Sequence, residues 1–212
     1  MIFFIGGPPR TGKTLLARKL AKKLNISWLS TDDLRWAVME SGKILKNDSL
    51  FTLVNAGEWD NKEKYYNKYS PEEIIKHQNL ESREVVKYLK GFIDALEYRK
   101  SDFILEGVAL YPPLISKQVI KKSNIEFICV GNTDYESFAD YSWRFRTTGD
   151  WLSNTNKETF NKIVKYCAVF SEKFKNEAKI HNLNYFELDS IKFNDKLKNT
   201  INTLIGKYNK SL

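Results

Sequence analysis

The stretch Gly7-Pro8-Pro9-Arg10-Thr11-Gly12-Lys13-Thr14 lies directly behind the apolar run Ile2-Phe3-Phe4-Ile5, and no other feature constrains this chain as much. It fits G-x-x-x-x-G-K-[ST], the pattern of a loop that follows a strand, opens a helix and cradles phosphate. Gly7 and Gly12 let the backbone turn and approach oxygen atoms closely. The loop N–H groups and the helix N-terminus together make an anion cradle. Lys13 is placed to reach the β- and γ-phosphates, and the Thr14 hydroxyl to ligate Mg²⁺. All eight residues, 7–14, are therefore expected nucleotide contacts, and ATP with Mg²⁺ the expected cofactors.

A loop of this kind requires a strand before it and a helix after it, and the rest of the chain continues the alternation. Thr14–Leu24 reads as a helix with Leu16, Leu20 and Leu24 on one face, and Ile26–Leu29 as a second strand. Ser70-Pro71-Glu72-Glu73 is a strong helix start, with Ser as N-cap, Pro in the first turn and Glu closing a capping box. That helix is expected to run to about Glu97. Phe103–Leu105, Ile125–Val130 and Tyr185–Leu188 read as three further strands. Helices are expected over 134–146, 157–181 and Asp195–Tyr208. Strands alternating with helices imply a parallel sheet. No linker or repeat divides the 212 residues, so one domain is expected over 1–212. It would be an α/β, three-layer fold of about five parallel strands, with an acceptor-side insertion at 36–70 and a helical lid at 138–156.

The second strand leads into Ser30-Thr31-Asp32-Asp33-Leu34-Arg35. A carboxylate here sits across the carboxyl edge of the sheet from the phosphate loop, where ligands bind. It is suited to orient and deprotonate an acceptor hydroxyl. Asp32 is the first candidate, Asp33 the second. Arg35, one turn on, can hold an anionic acceptor by a bidentate contact. Thr31 or Asp32 as a plain N-cap is the competing structural reading.

These residues resemble the P-loop kinases of small molecules and of polynucleotide 5′ ends. Phage-type polynucleotide 5′-kinases carry an arginine-aspartate-aspartate-tyrosine-arginine stretch at this place. The resemblance implies a general base at Asp32 and a contact to substrate phosphate from Arg35. The 2-phosphoglycerate kinase-like group has a similar S-T-D-x-x-R segment. Chloramphenicol phosphotransferase and the zeta-type toxins also place an Asp after this strand. The resemblance further implies the strand order of nucleotide kinases and a loop after the fifth strand that holds adenine through backbone groups, here Glu187-Leu188-Asp189-Ser190.

The third strand ends Phe103-Ile104-Leu105-Glu106-Gly107. A carboxylate at such a strand end supports Mg²⁺ or its water shell, and Glu106 is the only acid there. Val108-Ala109-Leu110-Tyr111-Pro112 resembles the E-G-V-H-h-x-P stretch of the 2-phosphoglycerate kinase-like group, with Ala109 where that group often has His. After the fourth strand come Arg144 and Arg146, just before Thr147-Thr148-Gly149-Asp150-Trp151. Nucleotide-type kinases supply lid arginines here to neutralise charge developing during transfer. Two apart on a helix, the two side chains face differently, and the spacing leaves the choice open. Trp36, Phe51, Trp59, Tyr65, Tyr66 and Tyr69 enrich residues 36–70 in aromatics, for core packing or for stacking on an acceptor. Glu58, Asp60, Gln78, Glu81 and Arg83 are further acceptor-side candidates. His77 and His181 stand alone and imply neither metal nor triad.

Composition narrows the partners. Net charge is +8, from 34 basic and 26 acidic residues, with five of the surplus charges in residues 151–212. Such a balance attracts polyanions, but 27 of the basic residues are scattered lysines, which describes a solvated basic face. Cys129 and Cys167 are too few for a disulfide framework and match a cytoplasmic protein. No apolar run approaches the roughly 18 residues of a membrane span, and Met1–Ile5 reads as a strand rather than a leader. The expectation is a monomeric or homodimeric kinase that phosphorylates a small-molecule hydroxyl acceptor. A 5′-hydroxyl polynucleotide kinase, a nucleotide-binding or NTP-hydrolysing regulatory protein, and a toxin acting on a nucleotide sugar are the alternatives.

Overall fold

The computed structural model describes residues 1–44, 61–146, 152 and 154–210, with only the backbone at 42–44. The acceptor-side candidates Phe51, Glu58, Trp59 and Asp60, and the part of the expected lid at 147–151 and 153, lie outside the described residues. In chain order the elements are β1 (Ile2–Gly6), α1 (Lys13–Leu24), β2 (Ser27–Ser30), α2 (Thr31–Ile44), α3 (Lys62–Lys68), α4 (Pro71–Tyr98), β3 (Phe103–Gly107), α5 (Lys117–Ile120), β4 (Ile125–Gly131), α6 (Tyr135–Arg144), α7 (Lys157–Ile180), β5 (Asn184–Glu187) and α8 (Phe193–Asn209). All strand pairs are parallel, and the order across the sheet is β2-β3-β1-β4-β5. This is the expected three-layer α/β P-loop fold.

The alternation of β1 sorts the helices into two layers. Phe3 and Ile5 face one side, with Leu16, Leu20 and Ala21 of α1 and Leu197, Ile201 and Leu204 of α8. Ile2 and Phe4 face the other, with Tyr65 and Tyr66 of α3, Ile75, Leu89 and Ile93 of α4, and Phe160, Phe170 and Phe174 of α7. Phe3 and Phe4 are both fully buried, so β1 is apolar on both faces, as a central parallel strand must be. Burying each phenylalanine contributes about 1.5–3 kcal/mol.

Local chemistry sets the ends. The Ser70 hydroxyl accepts from the Glu73 N–H at 3.3 Å, and Glu73 accepts from the Ser70 N–H at 2.8 Å, completing the capping box. Asp134 and Asn156 cap α6 and α7 one way, each accepting from the backbone N–H three residues on. Asn25, in the left-handed region at φ 54°, closes α1. Among the described residues, no helix is long and apolar enough to cross a membrane.

Where β3 meets α2, the packing leaves no room for a side chain. Gly107 has φ +150°, and a Cβ there would lie 1.7 Å from Thr31 Oγ1. Replacing Gly107 with Ala should lower the unfolding free energy by about 1–3 kcal/mol. Gly91, inside α4 with open space around it, should give the opposite sign. Its replacement by Ala stabilises the helix by about 0.5–1 kcal/mol. Urea unfolding of the two variants checks the contrast.

Candidate active site

The phosphate loop is built around a helix end that no side chain caps. Gly12 precedes α1 with φ 85°, no side chain caps the helix, and no acid lies in its first turn. Helices α4, α6 and α7 each bring their own capping oxygen; α1 leaves its first N–H groups to an incoming anion. Arg10 is also left-handed, at φ 64°, an uncommon conformation for a residue with a Cβ. Thr11 ties the turn together by donating to the Pro8 carbonyl at 2.9 Å. A Cβ on Gly7 would fall 2.5 Å from the Val130 carbonyl, and one on Gly12 2.7 Å from the Phe193 ring. β4 and α8 therefore press on the loop from behind and hold its curve.

Lys13 is only 7% exposed, and its Nζ donates to the Pro8 carbonyl at 3.1 Å. The ammonium thus folds back over the loop that would carry phosphate. The Thr14 hydroxyl donates to Glu106 Oε1 at 3.0 Å. Glu106 is 1% exposed, and its Oε2 makes no hydrogen bond of good geometry, although the Ser30 hydroxyl is close enough to favour the charged form. Burial raises the Glu106 carboxyl above the ordinary carboxylate range, and the neighbouring Asp32 charge adds to this. Lys13 and the Ser30 and Thr14 hydroxyls oppose it. Register explains the meeting. Glu106 pairs with Ile5 on β1 and with Ser30 on β2, so it lies between the phosphate loop and the Asp32 turn.

This arrangement fits a divalent cation. A threonine hydroxyl and a carboxylate with an unsatisfied buried oxygen converge beside a phosphate cradle. Among the described residues there is no group of three or more His, Cys, Asp or Glu suited to a metal. Mg²⁺ does not require one, since it binds through one or two protein oxygens together with water and substrate phosphate.

The Asp32 turn opens onto a narrow cleft between α2 and α4. Its lining includes Thr31, Asp32, Arg35, Gln78, Glu81 and Ala109, and its free volume is ≈ 10 Å³, room for one water-sized group such as a hydroxyl. Asp32 is exposed at its edge, and Asp33 is not part of the lining. Ser30, rather than Thr31 or Asp32, caps the turn, accepting from the Asp32 N–H at 3.2 Å. The Asp32 carboxylate is therefore not spent on capping α2. Arg35 is ion-paired through Nε with Glu81, whose side chain is 2% exposed. Arg83, two residues on, is on a different side of α4. It lines a wider groove of ≈ 370 Å³ with Lys76, Tyr111 and Lys173.

The two arginines expected in the lid separate. Arg144 is exposed and pairs with Asp140 one turn back, at 3.0 Å. Arg146 places its guanidinium 3.3 Å from the Trp143 ring centroid and 5.8 Å from that of Phe160. Arg10 lies over the same Phe160 ring at 5.6 Å and donates to the Ser142 carbonyl at 3.3 Å. A fully buried phenylalanine on α7 thus brings a phosphate-loop arginine and Arg146 together. Glu81 stood among the acceptor-side candidates in the sequence, without its pairing to Arg35; Phe160 did not, and no local signal marks it.

Tyr65 and Tyr66 are core residues, and Trp36 is 45% exposed. The His77 Nδ1 meets the Tyr65 hydroxyl at 2.9 Å, and burial lowers the His77 pKa, so this histidine is a neutral packing partner. Cys129 and Cys167 are buried, unbridged thiols pushed well above their ordinary pKa. Beyond β5, Asn132 donates to the Ser190 hydroxyl at 2.9 Å, and the Leu188 N–H to the Gly131 carbonyl at 2.8 Å, which fixes the loop expected to face the base.

No protein-family model matches the chain, and no curated protein is similar to it in sequence. Among solved structures, shikimate kinase from Bacteroides thetaiotaomicron is similar at a TM-score of 0.47 and 13% identity, over 96% of this chain and 98% of that one. An uncharacterized protein from Eubacterium ventriosum ATCC 27560 is similar at a TM-score of 0.42 and 14% identity, over 100% of this chain and 99% of that one.

Glu106 supplies a test of the site's electrostatics. Its proton is held more tightly in the folded chain than in the unfolded one. Folding stability contributed here is present at low pH and is lost as pH rises from the ordinary carboxylate range through the raised value. Glu106→Gln should flatten that part of the stability profile, and the nucleotide-free variant should melt above the wild-type protein at neutral pH. Thermal melts across the acid-to-neutral range check it.

Proposed function

We propose that the protein is an ATP- and Mg²⁺-dependent phosphotransferase that moves the γ-phosphoryl group to a hydroxyl of a small-molecule acceptor. The observation that carries this reading is the convergence on Glu106. One buried carboxylate touches the metal-side hydroxyl of Thr14 and feels the charges of both Lys13 and Asp32. Phosphate cradle and candidate base are thereby joined at one sheet edge, as in-line transfer needs.

In this reading the loop amides and Lys13 hold the β- and γ-phosphates. Thr14 and Glu106 would hold Mg²⁺, which would supply neutralisation of the phosphate charge. Asp32 accepts the proton of the acceptor hydroxyl as its oxygen bonds to the γ-phosphorus. The bond from that phosphorus to the β,γ-bridging oxygen breaks, and ADP leaves. Arg10 and Arg146, stacked on one aromatic ring, are placed to face the charge on the transferring group. Arg144, held by Asp140 on the surface, is assigned no part in the transfer.

The tests separate these roles. Lys13→Ala should nearly abolish transfer of label from γ-labelled ATP. Asp32→Ala should lower kcat by about 10² to 10⁴, whereas Asp33→Ala leaves it close to wild type. Arg146→Ala should cost roughly 10² to 10³, and Arg144→Ala far less. Equal loss at Arg144 and Arg146 would overturn the assignment of the lid arginine.

A further inference from the structure

We propose that the groove between α4 and α7 is a second binding site, which takes a small hydroxylated anion with more than one negative charge, a phosphate monoester or a polycarboxylate. The groove shares no residue with the cleft at Asp32 or with the phosphate loop, so this inference stands apart from the phosphotransferase reading. Its free volume of ≈ 370 Å³ is that of a small-molecule pocket.

Charge argues for the anion. Lys76 and Arg83 on α4 and Lys173 on α7 line the groove beside one carboxylate, Glu72, so three positive charges stand against one negative, a net of +2. Among the described residues, none of the three cations makes a hydrogen bond or an ion pair. The same helices pair other lysines: Lys87 with Glu84 at 2.6 Å, Lys90 with Asp94 at 2.5 Å and Lys162 with Glu158 at 3.0 Å. Acids near the three cations in sequence are engaged elsewhere. Glu73 is bonded to Ser70 in the capping box, Glu84 to Lys87, and Glu177 lies 3.6 Å from His181. Unpaired cations around a concavity focus a positive field into it. The Arg83 guanidinium suits the paired oxygens of a carboxylate or phosphate.

Shape and hydrogen bonding set the rest. Tyr111 forms one wall, its ring edge-on to Phe170 and Phe174 with centroids 5.2 and 4.9 Å away. Burial and the Glu177 charge push its hydroxyl up to about 12, so it stays a protonated donor toward an anion. Asn79 also lines the groove. Among the described residues its amide makes no hydrogen bond, and its side-chain oxygen is buried. A buried polar group without a partner is unfavourable. A ligand hydroxyl gives that oxygen a donor once the amide turns outward, which is why the anion is a hydroxylated one.

The test titrates glucose 6-phosphate, citrate and, as a neutral control, glucose into the full chain by calorimetry at low salt. At least one of the two anions should bind with one-to-one stoichiometry, and glucose should not. Which anion binds tells a phosphate monoester from a polycarboxylate. The double variant Arg83→Gln/Lys173→Gln should weaken that binding on the order of tenfold or more. Glu72→Gln should tighten it, and Lys87→Gln, outside the groove, should leave it unchanged. Arg83 and Glu72 are exposed and Lys173 is half-buried, so the variants should keep the wild-type melting temperature in the absence of anion. Binding that survives the double variant overturns the proposal, and its loss in Lys13→Ala would then place the anion on the phosphate loop. Glucose binding as tightly as glucose 6-phosphate overturns it too, as does failure of both anions to bind. A 5′-hydroxyl oligonucleotide that binds more tightly than either anion, with the same loss in the double variant, overturns it in favour of a polynucleotide surface.

Discussion

A buried carboxylate at the end of β3 is the constraint on which the rest of this structure turns. Glu106 lies beneath the phosphate loop, almost without exposure, bonded to Thr14 and close to Lys13. Burying a carboxylate is unfavourable unless cations and donors surround it. The sheet supplies them by register. Ile5, which leads into the loop, and Ser30, which leads into the Asp32 turn, flank Glu106 on its two neighbouring strands. Gly107 then lets the first residue of α2 pack against β3 where any side chain would collide. The site is thus assembled by three strand ends arriving side by side.

Helix α4 divides the acceptor side of the molecule. One of its faces carries Gln78, Glu81 and Ser82 toward α2, and another carries Lys76 and Arg83 toward α7. The first is paired and nearly neutral; the second is basic and open. The helix is long enough, Pro71–Tyr98, to serve both faces and still bury Leu89, Ile93 and Leu96 against the sheet. Its start is fixed by a capping box, so the registration of both faces rests on Ser70 and Glu73. On the lid side, aromatic packing has the equivalent task. Phe160 and Trp143 meet edge to face with centroids 5.1 Å apart, and the two arginines stack on that platform.

Much of this was legible in the sequence because it is written in local rules. The phosphate loop needs particular residues at particular spacings, the capping box does too, and the apolar strands of a parallel sheet stand out between amphipathic helices. Hence each expected strand and long helix lies within a few residues of its observed position, including Phe103–Gly107 with its terminal acid. The short helix α3 escaped notice because seven residues rich in Lys and Tyr carry no clear period, and Tyr65 and Tyr66 are buried by α4 and α7 rather than by their own pattern.

The sequence by itself determined the element order, the phosphate cradle and the roster of charged residues near it. Those depend on neighbours along the chain, within the reach of a turn or a cap. Tertiary structure decided how the charges are shared. It gave Arg35 to Glu81, forty-six positions away, and Arg144 to the surface. It brought Arg146 and Arg10 to one ring and kept Asp32 clear of capping α2. The physical reason is that an ionic or stacking partner is chosen by distance and burial in space. A sequence lists the candidate charges without saying which of them will share the same low-dielectric cleft.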